Sequence, residues 1–75
     1  MIFHETIIPG LFRIEASPAR DDRGAFMRSW CRESFAAAGI DFTPIQASLS
    51  ENTLKYTLRG MHFQAAPAEE QKLIR

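Results

Sequence analysis

The side chain best suited to moving a proton near neutral pH is His62, in the run Leu58-Arg59-Gly60-Met61-His62-Phe63-Gln64. An imidazole there can serve as general base or general acid. Two cations stand nearby in sequence, Arg59 before it and Lys72 after it. A guanidinium and an ammonium suit a diphosphate or a developing oxyanion. Arg23 follows Asp21 and Asp22 and precedes Gly24. Gln46, Ser48 and Ser50 alternate with Ile45, Ala47 and Leu49, so in a strand they would share one face. That polar face either meets solvent or lines a polar cavity. Each group also has a plainer reading, which outweighs the functional one when the group is taken singly. His62 could be hydrogen-bonded in a core or exposed on a strand. Arg59 and Lys72 could be solvated surface charges. Arg23 could be one half of a turn-stabilising ion pair.

Other chemistries find less support. Cys31 is the sole cysteine, so no intrachain disulfide can form, and it reads as a small buried hydrophobe. There is no GxSxG motif, no glycine-rich phosphate loop and no CxxC pair. A His-x-His metal pair would need a histidine where Gln64 stands, so no metal site is expected. The formal net charge of +0 argues against a nucleic-acid binder. At 45% hydrophobic and 24% charged residues, the composition is that of an ordinary globular chain. No apolar run approaches the ~20 residues of a membrane span, and Met1 to Thr6 does not read as a signal peptide. A lone cysteine fits a reducing, cytoplasmic compartment.

These groups need elements to position them. Phe3 to Ile8 is rich in apolar and β-branched residues and predicts a strand, ended by a turn at Pro9-Gly10. Phe12 and Ile14 alternate with Arg13 and Glu15, predicting a half-buried strand. Ser17 to Gly24 reads as a polar loop, and Ala25 to Trp30 as a strand anchored by Phe26 and Trp30. Arg32 to Ala38 is the one helix candidate, with Gly39 as its C-terminal cap. Ile45 to Ser50, Tyr56 to Gln64 and Gln71 to Arg75 read as further strands. Short strands separated by turn signals predict an all-β sandwich or barrel with one short helix. A sandwich built from this many strands would leave its core open on one side, so the 75 residues read as unfinished.

Taken together, several stretches resemble the successive motifs of the dTDP-4-dehydrorhamnose 3,5-epimerases. They are Asp22-Arg23-Gly24-Ala25-Phe26, Gln46-Ala47-Ser48-Leu49-Ser50, Leu58 to Gln64 and Gln71-Lys72-Leu73-Ile74-Arg75. Ile8-Pro9-Gly10-Leu11 and the helix ending at Gly39 fit as well. The resemblance covers essentially the whole chain, and the stretch around His62 is its strongest part. It implies a jelly-roll, cupin-type β-sandwich of which residues 1–75 are the N-terminal portion of a single domain, from a family that is dimeric when complete.

The activity that the resemblance implies is a cofactor-independent, metal-free double epimerisation of dTDP-4-dehydro-6-deoxy-D-glucose to dTDP-4-dehydro-L-rhamnose. The 4-keto group acidifies the hydrogens on C3 and C5. A base removes each, an enolate forms, and a proton returns on the other face. By resemblance His62 is the base, Arg59 and Lys72 stabilise charge at the site, and Arg23 contacts the nucleotide's phosphates or its base. Gln46 and Ser48 occupy substrate-lining positions. Arg28 also sits on the substrate-binding side, where the family usually has a glutamate, and Ser48 stands where an asparagine is usual. The first is a charge reversal beside an anionic nucleotide and bears on which base or sugar is accepted. The family's tyrosine acid and histidine-orienting aspartate lie in the second half of the fold, so little or no epimerase activity is expected of these residues alone. Two other readings compete: a non-catalytic sugar-nucleotide-binding module, and a β-domain that folds only beside a partner. Strict alternation would put Arg59 and His62 on opposite strand faces, so a bulge or sharp twist is expected near Gly60.

Overall fold

The computed structural model describes residues 1–75, which divide into two compact units, Met1–Thr43 and Pro44–Arg75. The first holds all the regular structure: β1 (Ile2–Glu5), β2 (Phe12–Glu15), β3 (Ala19–Asp21), β4 (Gly24–Phe26) and α1 (Arg32–Ala37). Small sheets with one short helix fit the all-β expectation for these residues.

β1 and β2 form an antiparallel hairpin that pairs Ile2 with Glu15, Phe3 with Ile14, His4 with Arg13 and Glu5 with Phe12. The turn between them is tied by Thr6 N–H to the Leu11 carbonyl at 3.2 Å and Leu11 N–H to the Ile8 carbonyl at 3.1 Å. Thr6 Oγ1 accepts the Ile8 N–H at 3.1 Å. Gly10 takes φ +78°, a left-handed conformation open to glycine without steric cost. In β2 the alternation is realised, with Phe12 and Ile14 half-buried and Arg13 and Glu15 exposed.

The loop expected over Ser17 to Gly24 contains a second hairpin instead. β3 pairs with β4 through Ala19–Phe26, Arg20–Ala25 and Asp21–Gly24. Its strands are only three residues long and exposed throughout, Phe26 included, so they carry no buried apolar alternation for the sequence to reveal. The strand expected from Ala25 to Trp30 ends at Phe26. Trp30 turns to the core rather than continuing the ladder.

The helix is six residues long, far below the ~12–15 residues at which isolated helices become stable. Packing and capping must therefore hold it. Phe35, 2% exposed, is the one buried residue, set edge-on to Phe3 with ring centroids 5.0 Å apart. Trp30 lies 6.4 Å and Phe42 5.8 Å from the same ring. At its end, Ile40 N–H reaches the Phe35 carbonyl at 2.9 Å and Gly39 N–H the Ala36 carbonyl at 3.0 Å. With Gly39 at φ +75°, this is a Schellman cap, at the glycine the sequence marked.

Residues 44–75 contain turns but no helix or strand. The strands expected at Ile45 to Ser50, Tyr56 to Gln64 and Gln71 to Arg75 are not formed. Alternation decides which face a strand would bury, but a strand exists only by pairing, and no segment of this unit pairs with another. Thr57 Oγ1 donates to the Leu54 carbonyl at 2.8 Å, and Ala68 N–H to the Ala65 carbonyl at 2.9 Å. Its apolar side chains stay in water: Ile45 is 98% exposed and Leu49 97%.

Candidate functional site

In Met1–Thr43 two of the candidate cations lie in or after the second hairpin. Arg23 occupies the turn between β3 and β4. Its backbone N–H donates to Asp21 Oδ1 at 2.9 Å, an Asx-type turn. Its Nε and Nη2 both donate to Asp21 Oδ2, at 3.1 and 2.6 Å. The plainer expectation for Arg23, a turn-stabilising ion pair, is thus realised, while most of its side chain stays open to solvent. The side-chain hydrogen bonds from Arg23, then its backbone N–H, hold the Asp21 carboxyl below its ordinary value. Arg28 follows β4, its Nη1 3.9 Å from Cys31 Sγ. That thiol donates to Glu33 Oε2 at 3.1 Å and, with lesser help from Arg32 and Arg28, lowers the Glu33 carboxyl. Cys31 is half-buried, in a polar chain rather than in the wholly apolar setting expected of it.

On the first hairpin His4 Nε2 lies 3.5 Å from Glu15 Oε2, and Arg13 pairs with the other Glu15 oxygen. Arg13 is the main cause, and His4 a lesser one, of the lowered Glu15 carboxyl. This trio is a cross-strand polar cluster, with an Arg13–Glu15 ion pair in it, that the sequence reading did not single out. Its signal was the i, i+2 spacing of Arg13 and Glu15, which places both on one strand face.

In Pro44–Arg75 the structure holds Arg59 firmly and His62 loosely. Arg59 Nη1 donates to Ser50 Oγ at 2.8 Å and Nη2 to the Glu51 carbonyl at 2.9 Å. These bonds tie the Leu58–Gln64 stretch back to the Gln46–Ser50 stretch. Gly60 takes φ +110°, so the backbone between Arg59 and His62 is not a regular strand. His62 folds back, its Nδ1 3.4 Å from where a Gly60 Cβ would stand. The imidazole is exposed and makes no side-chain hydrogen bond. Lys72 Nζ pairs with Glu70 Oε1 at 3.1 Å. Gln46 and Ser48 are exposed. No hydrogen bond or ion pair joins Arg59, His62 and Lys72 to one another. Ser50 was noted in the sequence only as part of a polar face, and its role as an Arg59 anchor depends on a fold-back that alternation cannot show.

No three His, Cys, Asp or Glu side chains come together in a way that could hold a metal ion. No helix is long and apolar enough to cross a membrane.

Comparison with known proteins places these residues. The family model described as dTDP-4-dehydrorhamnose 3,5-epimerase matches residues 5–75. A dTDP-4-dehydrorhamnose 3,5-epimerase of Shigella flexneri is 36% identical over 72 residues, covering 95% of this chain and 39% of that protein. Its namesake from Salmonella typhimurium is 34% identical over 76 residues, covering 100% of this chain and 41% of that protein. The chain therefore spans about two fifths of the length of these curated relatives. No solved structure gives a significant match.

Proposed function

The chain belongs to the dTDP-4-dehydrorhamnose 3,5-epimerase family, and from that premise we propose that its residues form part of the site of a sugar-nucleotide 3,5-epimerase. The substrate is dTDP-4-dehydro-6-deoxy-D-glucose and the product dTDP-4-dehydro-L-rhamnose. His62 removes the proton on the carbon next to the 4-keto group. Arg59 and Lys72 stabilise the enolate oxygen and the anionic nucleotide, Arg23 contacts the phosphates, Arg28 bears on which base or sugar is accepted, and Gln46 and Ser48 meet sugar hydroxyls. A general base contributes about 10²–10⁴-fold to such a step. The reading needs no cofactor, and includes a jelly-roll fold, a single domain, a homodimer and a cytoplasmic location.

The observation that carries the proposal is the family match over residues 5–75. The geometry adds that Arg59 is anchored through two hydrogen bonds, which suits a preorganised charge stabiliser. Solvent deuterium exchange at C3 and C5 of the substrate tests it. Exchange is expected from the polypeptide carrying these residues at the length of its relatives, and little or none from residues 1–75 alone. Loss of exchange in His62→Ala supports the base assignment, and undiminished exchange in that variant removes it.

One observation favours a second reading, that residues 44–75 take up strands only beside further polypeptide. Ile45, Leu49, Met61 and Phe63 are each at least 87% exposed, a density of apolar surface that marks a place where other polypeptide packs. Amide protection across 45–50 and 58–64 that appears only in a complex supports it, and protection in the isolated chain argues against it.

A further inference from the structure

We propose that Asp21 is a positioning residue for Arg23, holding the guanidinium so that its remaining N–H groups face the phosphates of a nucleoside diphosphate. The inference rests on the reading of Arg23 as a phosphate contact and adds a residue that the reading does not use.

Asp21 ends β3 and pairs across the ladder with Gly24, so its carboxylate starts from a fixed strand end. It grips Arg23 at three places: Oδ1 takes the backbone N–H, and Oδ2 takes Nε and Nη2. A guanidinium has five N–H donors in a rigid planar fork. The two on the Asp21 side are engaged, which leaves Nη1 and the outer N–H of Nη2 directed away from the acid. Arg23 has 88% of its side chain exposed, so without this grip its long stem would sample many rotamers and would have to be ordered on binding.

Two effects oppose each other. Asp21 adds a negative charge near an anionic ligand, but from behind the guanidinium, whose own positive charge lies between the two and whose surroundings are solvent of high dielectric. It also removes the ordering cost of a rotamer-rich side chain, a cost otherwise met at the moment of binding. The second effect acts on the contact itself, and under this proposal it outweighs the first.

Thymidine diphosphate binding to the full chain, measured by titration calorimetry, tests this. Arg23→Ala is expected to weaken binding most. Asp21→Asn retains an oxygen for the Arg23 backbone N–H, so the turn survives, but its amide cannot take both guanidinium donors. It is expected to weaken binding about three- to tenfold, with the β3–β4 amide shifts unchanged. In an Arg23→Lys background, where no fork exists to orient, Asp21→Asn is expected to change affinity by less than about twofold. Equal or tighter binding by Asp21→Asn overturns the proposal while leaving Arg23 as a phosphate contact. Wild-type binding in Arg23→Ala, or no binding by the wild-type chain, overturns that contact and the proposal with it.

Discussion

Arg59 donates to the hydroxyl of Ser50, nine positions earlier in the chain, at 2.8 Å. This bond and its neighbour to the Glu51 carbonyl join two stretches that carry the family resemblance. Ser50→Ala removes the side-chain anchor and leaves the carbonyl. The Arg59 guanidinium should then lose order, visible as a lower ¹⁵Nε order parameter, while Ser50→Thr retains it. An unchanged order parameter in Ser50→Ala would mean that the Glu51 carbonyl alone fixes the side chain.

His62 lies against Gly60, and the Gly60 backbone sits at φ +110°. A side chain there would meet the imidazole at 3.4 Å and would strain the backbone whatever space was free. Gly60→Ala is expected to move the His62 imidazole resonances and, if His62 is the base, to lower deuterium exchange at C3 and C5 with Arg59 still intact. Unmoved His62 resonances in Gly60→Ala would show that the two positions are not coupled.

Legibility in the sequence followed pairing distance. The Schellman glycine Gly39 and the alternation of Phe12 and Ile14 are local signals, and both appear where they were expected. The β3–β4 hairpin was missed because Ala19 to Asp21 has no apolar face to alternate. The strands expected beyond Pro44 had convincing alternation at Ile45, Ala47 and Leu49, yet a ladder needs a second strand that periodicity does not supply. For the candidate site, residue types were legible and contacts were not: Arg59 could be named, but Ser50 as its anchor could not.

The lowered Asp21 carboxyl has a stability consequence of definite sign. Its folded value is depressed below 3.8, first by the side-chain hydrogen bonds from Arg23. A depressed acid stabilises the folded state above its unfolded pKa, and that contribution is lost as pH falls through the folded value. The β3–β4 hairpin should therefore be indifferent to pH near neutrality and weaken only below the ordinary carboxylate range of about 4. Glu15 acts with the same sign on the first hairpin, chiefly through Arg13. Carboxyl ¹³C titration of Asp21 and Glu15 checks both. A midpoint at or above the ordinary value for Asp21 would contradict the Arg23 pairing, and Asp21→Asn should abolish the acid dependence of the β3–β4 amide shifts.

The core of Met1–Thr43 depends on one ring. Phe35 is the one buried residue, and Phe3, Trp30 and Phe42 are arranged around it. Truncation of a buried phenylalanine to alanine typically costs about 3–5 kcal/mol, through lost transfer energy and the cavity left behind. A unit this small has little stability to lose, and a six-residue helix has none of its own. Phe35→Ala should therefore abolish the near-ultraviolet circular dichroism of Trp30 and the amide protection of Phe35 to Ile40. Phe35→Leu keeps most of the volume and should retain part of both signals. Gly39→Ala tests the other support of the helix: at φ +75° an alanine costs about 1–2 kcal/mol, so protection at Gly39 and Ile40 should fall while the Phe3–Phe35 contact persists. Full protection in Phe35→Ala would mean that the Schellman cap, and not the aromatic cluster, holds the helix in place.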